Sequence, residues 1–487
     1  MYETKEGVLM KQLKAYIENH FALTCALLIG AAAIVYGVFA LNGLVWADEA
    51  YSQALVRHSF PEIWKITASD SHPPLYYFYL KAVAAPFGYN LYVSRFASAI
   101  PCLLMMGLGA YHISKLFSKR TAVLFLFVYL FYPFTMEYAV EMRMYSLAEL
   151  FIFLCAVYAY RCWKWNKTGD WILFALFGTC AAYCHYFSVV AAAMIYAALL
   201  FFAVFQKREL LKKWLIFSGC TILAYLPWLG CFISQLMYKV DNVYWIDPIT
   251  VQTVLDYFKS LFRANGVPYF YWVHGGAYVI ALICVFRSKD SHEIGLSVCA
   301  LLVPLGTILV GIAVSFLLRP VFVIRYVVPA MPLMVFFFAN ALSKMPSRKL
   351  AAVLLAVVFV GGGVFMAYLA KHAVIADEER LSAQDVQQLP EHDAVILDAG
   401  FSLHIGQELS YYDPVTPIYT DELLGPDNPY PNRCNVADFH NQEDQVILVL
   451  DCSAAVPDTY LSHYHAEPLY TVTVSGSQFD LWYLTAK

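Results

Sequence analysis

Residues 21–51 read FALTCALLIGAAAIVYGVFALNGLVWADEAY, an unbroken apolar run over 21–44 that passes at once into Trp46-Ala47-Asp48-Glu49-Ala50-Tyr51. A helix that crosses a bilayer needs about 20 apolar residues, so this stretch predicts a membrane span with two carboxylates at its exit. A little further on, Asp70-Ser71-His72-Pro73-Pro74-Leu75-Tyr76-Tyr77 adds a third acid and a histidine. Ionisable groups at a bilayer surface are costly to hold there and point to function.

The rest of the chain repeats the apolar theme. Of 487 residues, 60% are hydrophobic and only 14% charged, with a mean hydropathy of +0.57. Soluble domains carry about a quarter charged residues, so most of this chain is expected to face lipid. Tyr and Trp crowd the ends of the apolar runs, as an interfacial belt would. The net charge of −4 and the lack of a basic, aromatic-laced stripe exclude nucleic acid as a partner. Ten cysteines in or beside apolar runs show no metal-ligand spacing; Cys434 and Cys452 fall in the polar tail and would pair only in an oxidising compartment. Lys5, Lys11 and Lys14 precede an apolar run too long for the core of a removable signal.

Further runs of suitable length lie near 91–114, 121–136, 144–162, 171–187, 188–205, 214–233, 271–286, 294–318, 327–343 and 350–370, giving about eleven crossings with the first. Basic clusters sit at every second junction, around Lys11, Lys115, Arg161, Lys207, Arg287 and Lys344. The positive-inside rule places them on the cytoplasmic side, provided that 73–88, short and opened by two prolines, does not cross. The expected layout is a cytoplasmic N-terminus (1–20), a transmembrane domain (21–372) with a first external loop at 45–90 and an external lid loop at 234–270, and an extracytoplasmic α/β domain (373–487). The lid would carry Asp241, Tyr244, Trp245 and Asp247. The tail shows strand-like runs at 394–397, 445–450, 470–474 and 479–484, with a helix at 402–410. Gly361-Gly362-Gly363 reads as close helix packing.

The outer junctions then hold nearly every unusual polar residue: Asp48, Glu49, Asp70, His72, Glu137, Glu141, Arg143, His185, Arg319 and Arg325. Asp48 and Glu49 open a surface helix, where acids also favour the dipole. Asp48 is a candidate general base, since a partly desolvated carboxylate gains basicity. Glu137 and Glu141 share a helix face at a spacing of four. Arg143 either pairs with Glu141 or grips a phosphate as a fork of donors, and Arg325 repeats the pattern before Pro329. Tyr145 and His185 stand beside these groups; a lone histidine between spans also suits plain hydrogen bonding. Asp48, Asp70 and His72 would be the ligands if a divalent metal were used. Nucleotide-binding loops, HExxH and CxxC are absent.

Taken in order, Asp48-Glu49, Asp70-x-His-Pro-Pro-Leu-Tyr-Tyr, Arg95-Phe-Ala-Ser98, Glu141-Met-Arg-Met-Tyr-Ser146, His185-Tyr-Phe and Arg325-Tyr-x-x-Pro-Ala-x-Pro332 resemble the GT-C class of polytopic glycosyltransferases, in the branch of the protein O-mannosyltransferases and lipid A aminoarabinose transferases. The resemblance covers about 20–345. It implies a multi-pass protein of the inner or plasma membrane that takes a sugar from a polyprenyl-phosphate donor on the outer face. Asp48 matches the family's base with Glu49 beside it, Asp70 and His72 match the acceptor side of the first loop, and Arg143 and Arg325 fall where phosphate-binding groups lie. No β-trefoil insertion is seen, so the acceptor stays open among a cell-envelope glycan, a lipid or a protein. A transporter or flippase of lipid-linked saccharides is the rival reading, as is a sensor; transporters show paired halves with broken helices at the midplane, which this chain lacks.

Overall fold

The computed structural model describes residues 19–241, 246–374, 380–400, 402–421 and 428–487. Tyr244 and Trp245 of the expected lid, the side chain of Asp241 and residues 1–18 lie outside what is described. The chain divides into two compact units, one of Met1–Phe39 with Phe96–Ala370, the other of Ala40–Arg95 with Lys371–Lys487. The first loop therefore groups with the C-terminal segment.

The first unit is helical. Among the described residues, nine helices are long and apolar enough to cross a bilayer. Two of the expected crossings, 121–136 and 171–187, form shorter helices, Lys119–Leu130 and Thr168–Cys184. The first is cut short by Pro133. A residue before proline avoids the α region, and Tyr132 is extended at ψ 109° before a new turn, Pro133–Glu137. The segment Ile324–Lys344 lies at the centre of the unit with 89% of its span buried, whereas Arg208–Met237 has only 6% buried. Close approach explains two of the three glycines read as packing positions. A Cβ on Gly361 would meet the Phe270 ring at 2.0 Å, and one on Gly362 the Phe131 carbonyl oxygen at 2.1 Å; Gly363 faces open space. The expected lid loop is helical over about half its length. Helix Leu211–Asp241 runs on through its start, and Val251–Ser260 follows, capped by Thr250 accepting from Thr253 N at 3.1 Å.

In the second unit, the first loop folds into helices Ala47–Leu55, Phe60–Ser69 and Leu75–Ala84. The last has 10 residues, or roughly 15 Å at 1.5 Å per residue, too short to span. The C-terminal segment forms a six-stranded mixed sheet: β1 (Ala394–Asp398), β2 (Ile418–Thr420), β3 (Arg433–Asn435), β4 (Gln445–Asp451), β5 (Tyr464–Val474) and β6 (Ser477–Ala486), in the order β3-β2-β1-β4-β6-β5. The first four strands of that order run parallel, and β6 and β5 pair antiparallel. Ser475 and Gly476, at φ 52° and 81°, make the two-residue turn between them. β1 and β4 are apolar on both faces, as covered parallel strands are: Val395, Leu397, Ile447 and Val449 pack with Ile405 and Leu409 of helix Leu403–Tyr412, and Ala394, Ile396, Val446 and Leu448 fill the other side. Cys434 in β3 and Cys452 beyond β4 are free thiols. Three strand spacings, roughly 14 Å, separate their strands, beyond the reach of a disulfide.

Candidate active site

The polar residues of the first loop are set by its helices. Asp48 and Glu49 occupy the first turn of Ala47–Leu55, but consecutive helical residues point about 100° apart, and the two carboxylates have different fates. Glu49 is 2% exposed and Arg95 3%. Arg95 Nε donates to Glu49 Oε1 at 2.9 Å and its Nη2 to Glu49 Oε2, closing a bidentate pair. The same guanidinium donates to the Leu44 carbonyl at 2.6 Å and to that of Asn42. Glu49, expected beside Asp48 in the chemistry, is thus committed to a buried ion pair that fixes the entry into the helix. Asp48 is half-buried, and its carbonyl accepts from Ser52 Oγ at 2.9 Å.

Asp70 ends helix Phe60–Ser69, and Asp70 Oδ2 lies 3.2 Å from His72 Nδ1. Ser71 Oγ donates to Asp70 Oδ1 at 3.2 Å. Asp70 and His72 therefore form a dyad, with side chains 33% and 19% exposed. Among the described residues no group of three or more His, Cys, Asp or Glu side chains is placed to hold a metal ion, so Asp48, Asp70 and His72 do not converge as a ligand set.

The helix bearing Asp48 rests on Leu403–Tyr412 within the same unit. Val45 N donates to Tyr412 Oη at 3.4 Å, and Glu408 accepts from Leu381 N at 3.0 Å and from the backbone of Ala47. Burial pushes the Glu408 carboxyl up to about 8, against the opposing pull of those backbone donors and Arg380.

The membrane unit assembles a second constellation. Residues 138–144 leave the helical path between Pro133–Glu137 and Tyr145–Trp165 and carry Glu141 and Arg143. Arg143 is 3% exposed, Tyr145 1% and His185 4%. Four rings pack in series with inclined planes: Tyr138 to Tyr145 at 5.4 Å between centroids, Tyr145 to His185 at 5.8 Å, and His185 to Tyr326 at 4.9 Å. The groups acting electrostatically on Tyr145 are Arg325, Glu141, Tyr326 and Arg143. Burial pushes the Tyr138 phenol up; Glu137 and Glu141 add to this, and Arg325 opposes it. So Glu141, Arg143, Tyr145, His185 and Arg325, drawn from three separate stretches of sequence, form one cluster. His185 also caps Tyr186–Phe205, its Nδ1 accepting from Phe187 N at 3.2 Å, which leaves Nε2 to carry the proton of the neutral ring.

Glu137 is turned to Arg263, whose Nη2 reaches both carboxylate oxygens at 3.1 Å. Arg319 lies half-buried just past helix Ser291–Leu317. The sequence reading missed Arg263 and Tyr138, and it quoted Arg95 and Tyr326 only within motifs, without a role. The two tyrosines sit next to residues it did select.

Such a cluster places one buried and one half-buried guanidinium group beside aromatic rings, where they are suited to grip a phosphate and to stabilise charge that develops on a leaving group. Residues 71–230 match the family model described as dolichyl-phosphate-mannose-protein mannosyltransferase. That span includes His72, Glu137, Glu141, Arg143, Tyr145 and His185. Among solved structures, the chain is similar to ArnT from Cupriavidus metallidurans in the apo state, at 12% identity and a TM-score of 0.66, covering 94% of this chain and 97% of that one. It is also similar to ArnT from the same organism bound to undecaprenyl phosphate, at 14% identity and a TM-score of 0.60, with the same coverage of both chains. At these identities the likeness is one of fold. No curated protein matches the chain.

Proposed function

We propose that this chain, a polytopic membrane glycosyltransferase of the GT-C class, transfers a sugar from a polyprenyl-phosphate donor to an acceptor hydroxyl on the outer face of the membrane. Arg143 and Arg325 hold the donor phosphate. As the glycosidic bond to phosphate breaks, the sugar becomes oxocarbenium-like and negative charge builds on the leaving phosphate. That group needs positive charge more than a proton, and the two guanidiniums supply it. Asp48 takes the proton from the acceptor hydroxyl as it attacks. With one base and no second nucleophile, the acceptor attacks opposite the leaving group and inverts the anomeric centre. Asp70 and His72 line the acceptor side, and the acceptor is a cell-envelope glycan, a lipid or a protein.

The observation that supports this reading is the set of groups around Tyr145, where buried Arg143 and half-buried Arg325 both act on the same ring of a membrane unit with an ArnT-like fold. The complex of ArnT with undecaprenyl phosphate supports the donor class. The test is to incubate purified protein with polyprenyl-phosphate sugars and follow release of polyprenyl phosphate. Release by wild type that falls with Arg143→Ala and Arg325→Ala supports the assignment. Binding of the donor with no release under any acceptor would favour a transporter.

A further inference from the structure

At the other end of the same helices lies a cavity that the proposed transfer does not use. It measures about 410 Å³ and is lined by Tyr145–Trp165, Tyr186–Phe205, Ser291–Leu317 and Met331–Lys344, together with the end of Leu91–Leu116, a volume within the range of ordinary ligand sites. Its walls are apolar: Phe153, Leu199, Val303 and Phe336 among others. Along Tyr145–Trp165 it extends from Phe153 to Trp163, roughly 15 Å at 1.5 Å per residue. Tyr145 and its ring series stand at the opposite end of that helix, about 27 Å from Trp163 by the same rise.

The mouth of the cavity has a different chemistry. Trp163 and His292 face each other with ring centroids 5.2 Å apart, and Tyr160 Oη lies 3.4 Å from His292 Nε2. Lysines stand beside these mouth residues, outside the lining itself. Lys207 Nζ donates to the Trp163 carbonyl at 2.7 Å and sits 4.6 Å above the Trp163 ring, and Lys164 Nζ lies 5.8 Å from the Tyr160 ring. Aromatic faces hold these ammonium groups without neutralising them. Lys344 meets the Glu293 carboxylate at 2.8 Å. The wider junctions at this end carry Lys115, Lys119, Arg208, Lys212, Lys213, Arg287 and Lys289.

An apolar slot between helices long enough to span a membrane, with ammonium groups beside its mouth, matches a chain with an anionic head. We infer that this cavity is a binding site for an anionic glycerophospholipid, with one acyl chain in the slot between Phe153 and Trp163 and its phosphate at Lys164, Lys207 and His292. Water would leave the apolar walls unsolvated, and a zwitterionic lipid would bring its own cation against the lysines. The acyl chain ties together helices that also carry Tyr145, His185 and Tyr326, so an occupied slot stiffens the frame of the ring series.

Native mass spectrometry of the delipidated, detergent-purified full chain tests this, with dioleoyl phosphatidylglycerol, dioleoyl phosphatidylcholine, undecaprenyl phosphate or inorganic phosphate added. The expected result is one tightly held phosphatidylglycerol, bound at least ten-fold better than phosphatidylcholine and undisplaced by excess inorganic phosphate or undecaprenyl phosphate. Ala156→Phe, which fills the slot, should lose it, and Lys207→Gln should keep binding but reduce the head-group preference several-fold. Thermal unfolding of each variant separates misfolding from lost binding. Equal binding of the two phospholipids, unchanged binding to a folded Ala156→Phe protein, or displacement by undecaprenyl phosphate would overturn the inference; the last would make the slot the donor's own tail channel.

Discussion

Arg95 closes a two-point grip on Glu49 in the interior of the second unit, and it spends its remaining donors on the carbonyls of Asn42 and Leu44. The pair fixes the first turn of the helix that presents Asp48. It also sets the two neighbouring acids apart: Glu49 is committed to the pair, and Asp48 is the one proposed to react.

Breaking a buried pair leaves a charge without compensation, at a cost of about 3–5 kcal/mol. Glu49→Gln should therefore lower the unfolding temperature markedly, and Glu49→Leu combined with Arg95→Met should recover most of the loss. Calorimetry or dye-based melting in detergent reads both. A Glu49→Gln protein as stable as wild type but inactive would return Glu49 to the chemistry.

Glu408 makes stability depend on pH. Its folded value of about 8 lies above that of an unfolded glutamate, so the folded state binds the proton more tightly. Its stabilising contribution is complete below the unfolded value and is lost as pH rises toward 8, at no more than about 1.4 kcal/mol per pH unit. Glu408→Gln keeps the hydrogen-bonding shape without the charge. It should flatten the decline between pH 5 and pH 8 and be the more stable protein at pH 8. Melting curves with the wild-type slope in the variant would contradict this.

Arg325 and Arg143 are predicted to act on donor binding and on the leaving group alike. A charge-assisted hydrogen bond contributes about 1.5–3 kcal/mol, so Arg325→Ala should reduce kcat/KM for the lipid donor by about 10- to 100-fold. Arg325→Lys keeps the charge but loses the fork and should fall between. Steady-state kinetics with a polyprenyl-phosphate sugar distinguishes the three. A wild-type value in Arg325→Ala would remove Arg325 from the site.

The glycine run offers a matched pair. Gly362→Ala drives a methyl group into the Phe131 carbonyl, whereas Gly363→Ala meets nothing within 4 Å. The first should cost about 1–3 kcal/mol, and the second should be neutral or slightly stabilising, because alanine is the better helix former. Equal melting temperatures for the two variants would contradict the packing.

The membrane unit was readable in the sequence because length and apolarity alone specify a span. Even the non-crossing segment Leu75–Ala84 follows from its shortness and from Pro73-Pro74. The eleventh-crossing count met its limit at Pro133, where a run that is apolar throughout is split by backbone chemistry. The segment from 234 read as a loop because its polar residues hide a helix that continues to Asp241. In the tail, β1, β4 and β6 announced themselves by unbroken or alternating apolar residues, whereas β2 and β3, three residues each, are too short to leave a pattern.

The site was legible by residue type but not by partner. Arg143, His185 and Arg325 stood out as charges at the ends of apolar runs, and the structure brings them around Tyr145. Arg263 carried no such signal, since it lies in a polar connection and its partner Glu137 is 126 positions away. Arg95 likewise reaches Glu49 across 46 positions. Pairings of that kind are made by the fold, and no local spacing encodes them.

The most direct test of the central claim is the release of polyprenyl phosphate from a polyprenyl-phosphate sugar by the purified full chain, compared between wild type and Asp48→Asn. Loss of a general base costs about 10²- to 10⁴-fold in rate, so the account predicts release by the wild type and a fall of that size in Asp48→Asn, with the melting temperature and donor binding retained. Undiminished release by a folded Asp48→Asn protein would contradict it.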